Sequence, residues 1–549
     1  MAVPQKKRFG DILVEGGLIN ATQLQQALDY GRDQGLKLGN ALQRLGFVTE
    51  TDIARTLSQQ LRIPFVDLGK IVIDPDIART IPEMIARKHK VIAIGKNEDQ
   101  LLVAFVDPLN IFATDEVDRQ TKKRLVICIA AEGLILSAID TIYHKADKVD
   151  KRGGKAKEGD GDESEAVVAV NEIMLQAVKD GASDIHIEPD DEKIRVRLRV
   201  DGVLIPFKEY PLELHPNIIS RVKIMASLDI GERRKPQDGR FEITVAGRSL
   251  DVRTSILPLN RGEKVVMRLL DKSKIKVTLH GLGFGQEQYQ VFTEHLMHPH
   301  EIILVTGPTG SGKTTTLYGA LNQINDVGRN IVTVEDPVEY ELRGVNQVQV
   351  NPRAELTFVS AMRSILRQDP DVVMIGEIRD AETAEIAMQA ALTGHLVLST
   401  LHTNDAAGAI TRLVDMGIAP FLIASSVGLV VAQRLVRILC PHCKQRFIPP
   451  EEVQRDMGLD YDADRYFFRA VGCPQCEDSG YRGRVAIYEI LPVSSAIEAM
   501  IMERASSKTL FRQAQKEGLV SLREAGLSKV QAGVTSLEEL MRVTMADRE

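Results

Sequence analysis

Apolar residues follow three patterns along this chain. Between residues 8 and 60 they recur at helical spacing in two copies offset by 29. RFGDILVEGGLINATQLQQAL (Arg8 to Leu28) aligns with KLGNALQRLGFVTETDIARTL (Lys37 to Leu57). Each copy predicts a helix, a glycine-ended turn and a second helix, with Asn20 and Thr49 as N-caps. From 63 to 145, short apolar runs (VIAI, LLVAFV, LVICIA) alternate with helical segments and predict a small α/β unit with Cys128 in its core. AVVAVNEIMLQAVKDG then reads as a helix ended at Gly181, and a strand carrying Asp184, His186 and Glu188 follows. KIRVRLRVDGVL alternates strictly, so Arg195, Arg197 and Arg199 share one strand face.

In the second half the apolar runs are continuous, as in strands buried on both faces. Ile302 to Val305, Ile331 to Val334, VVMI before Gly376 and LVLSTL before His402 predict four parallel strands. With intervening helices these make a RecA-like doubly wound core. The most apolar stretch, Met416 to Ala432, is 17 residues long and contains Pro420 and two glycines. It predicts a buried helix rather than a membrane span.

At 549 residues, three or four domains are expected. A net charge of −7 removes any global electrostatic case for nucleic acid binding. The opening MAVPQKKRFGDIL lacks an apolar signal region, which predicts a cytoplasmic protein that reaches a membrane only through partners. DKVDKRGGKAKEGDGDESE, 147–165, has the composition of a flexible linker between a front module, 1–146, and the rest. The expected organisation continues with an arginine-rich α/β domain at 166–275 and a RecA-like domain at 276–549. The latter contains a cysteine insertion at 438–480 and a helical region at 494–549.

The chemistry concentrates after the first continuous run. GPTGSGKT, Gly307 to Thr314, lies between a strand and a helix marked by Leu317, Leu321 and Ile324. Strand, G-x-x-x-x-G-K-T and helix in that order form a P-loop. Gly307, Pro308, Thr309, Gly310, Ser311, Gly312, Lys313, Thr314 and Thr315 surround the phosphate position, and all but Pro308 offer it a backbone N–H. Lys313 is expected on the β/γ-phosphates of ATP and Thr314 on Mg²⁺. Glu335, Glu339 and Glu377 follow strand ends, where a doubly wound sheet places ligands. His395 and His402 flank the fourth strand, as γ-phosphate sensors or as satisfied structural residues. Arg221, Arg233, Arg234, Arg240, Arg253 and Arg268 are either solvated surface or a source of arginine fingers. Cys440/Cys443 and Cys473/Cys476 form two C-x-x-C pairs separated by 29 residues. They suit a four-thiolate Zn²⁺ site better than a redox pair or unliganded thiols.

GPTGSGKTTTLY, VEDPVEY, LRQDPDVVMIGEIRD and TGHLVLSTLHTNDA resemble the Walker A, Asp, Walker B and His boxes of the secretion-ATPase superfamily. ASDIHIEP, VRLRVDGVL, KPQDGRF, LPLNRGEKVVMRLL and the two C-x-x-C pairs narrow the resemblance to the type II secretion and type IV pilus assembly ATPases (GspE/PilB type). The resemblance implies a RecA-like motor preceded by a PAS-like α/β domain, with ATP in the cleft between them, and a homohexamer. The hexamer would drive pilus or pseudopilus assembly through an inner-membrane platform protein and a docking protein, with no nucleic acid partner. It implies Glu377 as the Walker B carboxylate and Glu339, in preference to Glu335, as the residue that orients water. His395 and His402 match the His box, with Arg221 and Arg240 as fingers and Arg199 in reserve. The tandem repeat resembles an MshEN-like cyclic di-GMP motif through Arg8, Phe9, Gly10, Leu13 and Gly17, then Lys37, Leu38, Gly39, Leu42, Gly46 and Gln60. Lys37 stands where that motif has arginine, and Gly31 where the first copy's closing glutamine belongs. A helical scaffold is the other reading of the repeat. A RecA-type nucleic acid translocase and a cyclic di-GMP-controlled regulatory ATPase are the alternative functions.

Overall fold

A computed structural model describes residues 7–97, 99–143, 160–271, 278–457 and 459–544. The chain divides into two compact units, Met1–Ser273 and Lys274–Glu549.

In the first unit the repeat forms four helices, Phe9–Glu15, Ala21–Gln34, Leu38–Arg44 and Glu50–Leu61. Asn20 and Thr49 each cap the second helix of their copy, accepting from the N–H of Gln23 and of Asp52. Leu13, Ile19, Leu42 and Val48, equivalent positions of the two copies, share one buried cluster. The apolar runs after it form the three-stranded sheet Val91–Lys96, Gln100–Phe105 and Arg124–Ile129, with Cys128 fully buried.

A seven-stranded sheet follows, and its first edge strand comes from the front module. Ile71–Val72 pairs in parallel with Gln237–Val245, and Lys179 bridges to Asp74 at 3.3 Å. The expected front module and arginine-rich domain therefore share a sheet and lie in one compact unit, Met1–Ser273. Two paired residues carry too little pattern to be read as a strand. Residues 147–159 of the expected linker lie outside the described ones, and its remainder belongs to the helix Asp160–Lys179. An acidic run at a helix N-terminus is favoured by the macrodipole, so linker composition and a helix start coincide here.

The second unit is built on a second seven-stranded sheet. Its order is Asn346–Gln349, Ile331–Glu335, Val372–Ile375, Leu396–Leu401, Glu301–Thr306, Val427–Leu439, Tyr481–Pro492, and all neighbours are parallel except the last pair. Successive residues of a strand enter different cores. Ile302 and Leu304 pack with Val373 and Val397 on one face, Ile303 and Val305 with Met374 and Leu398 on the other. This two-sided burial produces the continuous apolar runs, each large side chain contributing about 1.5–3 kcal/mol.

Met416 to Ala432 is not one buried helix. Pro420 opens a short helix, Pro420–Ser426, and the β-branched run from Val427 continues as a central strand. That strand and Tyr481–Pro492 form a long antiparallel hairpin, and the cysteine insertion sits at its tip.

Candidate functional site

The P-loop opens directly from the strand Glu301–Thr306 and leads into the helix Lys313–Ile324. Gly307 and Gly312 have φ of +150° and +90°, and a Cβ on either would fall within 2.5 Å and 2.8 Å of Gln433 atoms. Pro308, Thr309 and Gly310 form the exposed lip, while Ser311 is buried and Thr314 and Thr315 are half-buried in the first helical turn. Lys313 Nζ donates to the carbonyls of Gly307 at 2.7 Å and Pro308 at 3.2 Å. Burial pushes its ammonium down to about 8, with Glu377 opposing the shift and Arg434 adding to it.

Gln433 and Arg434, which sequence reasoning passed over, support this loop from the neighbouring strand. Gln433 donates to the Ser311 carbonyl at 2.9 Å and accepts from Thr316 Oγ1 at 2.7 Å. Arg434 donates to the Asn404 carbonyl at 2.7 Å, beyond the His box strand. The signal was present in VVAQRLV: two polar residues inside a buried apolar run need a local partner.

Glu377 follows the strand Val372–Ile375 and reaches the same edge of the sheet. One of its oxygens lies 2.5 Å from Arg379 and the other 3.5 Å from His402 Nε2. Arg379, also unforeseen, pairs with Glu377 and feels the charge of Asp336 as well. The two Asp box glutamates differ. Glu335 is buried and accepts from Tyr318 at 2.5 Å, Thr333 at 2.6 Å and Gln347 at 3.1 Å. Glu339, in the loop beyond the strand, is partly exposed, and its N–H reaches the Tyr318 hydroxyl at 3.4 Å.

The histidines separate. His402 joins Glu377, but His395 precedes the strand Leu396–Leu401 and so lies at the opposite end of the sheet, about 20 Å away along the strand direction. Its Nδ1 sits 2.8 Å from the Ala390 carbonyl, at the end of the helix Ala381–Leu392. Strand polarity explains the difference: only residues at carboxyl ends face the P-loop.

In the first unit Arg195, Arg197 and Arg199 do share a strand face, and they are ion-paired there. Arg197 forks onto Glu188 at 2.9 Å through two nitrogens, and Lys264 reaches the same carboxylate at 2.8 Å. Arg199 faces Asp184 at 3.6 Å. The register then sets Arg240 opposite Arg253, and Arg253 opposite Arg268. Three guanidinium side chains occupy adjacent strands in one row, with Asp184 closing the row 3.0 Å from Arg268. Arg221, half-buried on the helix His215–Met225, has an Nε without a hydrogen-bond partner among the described residues, and burial works against its charge. In the repeat, Lys37 is held by Asp107 at 3.1 Å and Gln60 donates to the Lys7 carbonyl at 3.2 Å. Gly10 and Gly39 pack beneath Leu24 and Ile53.

The four cysteines converge at the hairpin tip. Cys440–Cys473, Cys443–Cys476 and Cys473–Cys476 Sγ separations are 3.9, 3.8 and 3.7 Å. Tetrahedral metal–sulfur bonds of about 2.3 Å require edges of about 3.8 Å, so the thiols fit a four-thiolate cation site. Burial opposes ionisation of Cys476, but N–H groups of Gly480 and Cys473 and the adjoining thiols bring it down to about 7.

A family model described as "Type II/IV secretion system protein" matches residues 160–542, and an "MshEN domain" model matches 61–149. The latter match begins after the tandem repeat. The "Type IV pilus assembly ATPase PilB" of Myxococcus xanthus (strain DK1622) is 44% identical over 565 residues, 98% of this chain and 99% of that one. The "Type II secretion system ATPase E" of Vibrio cholerae is 44% identical over 488 residues, covering 85% and 97%. Among solved structures, the Legionella pneumophila ATPase DotB aligns with a TM-score of 0.51 at 21% identity, over 69% of this chain and 96% of its own, a likeness of fold. The chain thus belongs to the Type II/IV secretion system protein family and is a P-loop, ATP-hydrolysing enzyme.

Proposed function

We propose that this chain is the ATP-driven motor for assembly of a type IV pilus or a type II secretion pseudopilus. The observation that carries the reading is the convergence of Lys313, Glu377 and His402 at one sheet edge, in a chain matched almost end to end by a pilus assembly ATPase. In this reading Lys313 and Thr314 hold the triphosphate and Mg²⁺, Glu377 orients the cation through water, and Glu339 positions the attacking water. His402 senses the γ-phosphate from beside Glu377. Arg240 and Arg221 act as arginine fingers on bound triphosphate, and the row containing Arg240, Arg253 and Arg268 is suited to it because like charges side by side favour an anion.

The working form is a homohexamer in the cytoplasm, engaging an inner-membrane platform protein and a docking protein. No helix among the described residues is long and apolar enough to cross a membrane. In this reading those partners carry the contact with the membrane. Zn²⁺ on the four cysteines fixes the hairpin tip. Cyclic di-GMP on the repeat competes with Asp107 for Lys37 and reports through the shared sheet.

A test adds the cytoplasmic part of the cognate platform protein, or single-stranded DNA, to the purified chain and follows ATP turnover. Stimulation by the former alone is expected. Stimulation by DNA alone would replace the assembly motor with a nucleic acid translocase.

A further inference from the structure

A second group of metal-binding side chains lies in the same unit, away from both the nucleotide site and the cysteines. His295 is in the last turn of the helix Gln286–Leu296, His298 is in the turn after it, and Glu301 begins the P-loop strand. His295 Nδ1 lies 2.8 Å from one Glu301 oxygen and His298 Nδ1 lies 2.8 Å from the other. The two rings stand edge to face with centroids 5.0 Å apart. The carboxylate is only 10% exposed, whereas His298 is 44% exposed, so the cluster has a buried floor and one open side. The floor is built for the carboxylate: a Cβ at Gly428 would fall within 2.1 Å of Glu301 Oε2.

We infer that His295, His298 and Glu301 form a binding site for a divalent first-row transition-metal ion. Glu301 would use both oxygens and each histidine its Nδ1. With bonds of about 2.1 Å, donors at right angles lie about 3.0 Å apart and tetrahedral donors about 3.4 Å apart. The observed 2.8 Å separations are those of the hydrogen bonds and lie within a few tenths of an ångström of the right-angle value, so an ion enters with little movement and water completes its shell on the His298 side. Imidazole ligands select Ni²⁺, Cu²⁺, Co²⁺ or Zn²⁺ over Mg²⁺ and Ca²⁺. Without the ion the same atoms form two Nδ1–H to carboxylate hydrogen bonds; with it, each neutral ring carries its proton on Nε2 and presents a bare Nδ1 to the cation. The site is at the opposite end of the P-loop strand from Gly307, about 17 Å along it. It therefore clamps the base of the strand to the preceding helix, and stability rather than turnover is its readout.

The experiment titrates Ni²⁺ calorimetrically into the full-length, untagged chain with its cysteine site already loaded with Zn²⁺. About one equivalent is expected to bind saturably, at micromolar affinity, and to raise the thermal midpoint. Glu301→Gln and His298→Ala should each weaken binding at least tenfold and abolish the shift, with the Zn²⁺ content unchanged. His298 is exposed, so its variant carries the test even if Glu301→Gln folds poorly. No saturable binding to the wild type, or equal affinity in both variants, would reduce the cluster to its hydrogen bonds.

Discussion

Lys313 Nζ lies 2.7 Å from the carbonyl oxygen of Gly307, so the P-loop lysine spends its charge on its own loop. Its ammonium is held down to about 8 against a usual 10.5, chiefly by burial. Triphosphate supplies the missing counter-charge and favours the protonated form. At about pH 9, nucleotide binding should therefore take up close to one proton, visible as a dependence of binding heat on buffer ionisation enthalpy. Near pH 6.5 this contribution should vanish. The same heat in all buffers at about pH 9 would contradict the assignment. The sign for stability follows: between about pH 8 and the unfolded lysine value, the unfolded state holds the proton and the native state does not. Over that window this group makes the nucleotide-free protein more stable as pH rises.

Glu335 and Glu339 are predicted to fail differently. Glu335 accepts three hydrogen bonds in a buried site, and Glu335→Gln strands at least one donor at a cost of about 1–3 kcal/mol. Its thermal midpoint should fall. Glu339→Gln should leave the midpoint near that of wild type while turnover drops about 10²-fold or more. The reverse pattern would make Glu335 the residue that handles water.

Arg240 faces Arg253 across the sheet, a like-charge pair that is unfavourable by a few tenths of a kcal/mol to about 1 kcal/mol. Arg240→Ala should thus leave stability unchanged or slightly raised while lowering turnover about tenfold or more. Lower stability with normal turnover would make the row an ordinary part of the surface.

Much of this site was legible in the chain because its grammar is local. A strand, a glycine-rich turn and a helix specify the P-loop, and the strand ends place Glu335 and Glu377. Features that depend on a partner strand were not legible. The histidines at 395 and 402 look equivalent in sequence, yet strand direction sends only His402 to the loop. Gln433 and Arg434 matter through Ser311, Thr316 and Asn404, more than a hundred positions away for Gln433. The two-residue strand Ile71–Val72 has no periodicity to detect, although it joins the front module to the next sheet. Net charge likewise hid the Arg240, Arg253, Arg268 row, which exists only through register.

Glu489 introduces a pH dependence of its own. It is buried between two helix starts, accepting from Ala406 N–H at 2.8 Å and Leu522 N–H at 3.3 Å, and burial pushes its carboxyl up to about 7. A raised carboxyl means that the native state keeps a proton the unfolded state has lost. Its contribution is full below about pH 4.5 and is lost as pH rises through about 7. Glu489→Gln should therefore gain stability relative to wild type as pH goes from about 5 to about 8. A stability difference that stays flat across that range would place the carboxyl at its ordinary value.

The central claim is that Glu377, placed beside His402 and close enough to Lys313 to influence its charge, completes an ATP-hydrolysing site. Its most direct test measures nucleotide binding and single-turnover hydrolysis on wild type, Lys313→Ala and Glu377→Gln. The expected result is that Glu377→Gln binds Mg-ATP with near wild-type affinity but hydrolyses it about 10²-fold more slowly or worse, while Lys313→Ala loses binding. Wild-type turnover in Glu377→Gln would contradict the account.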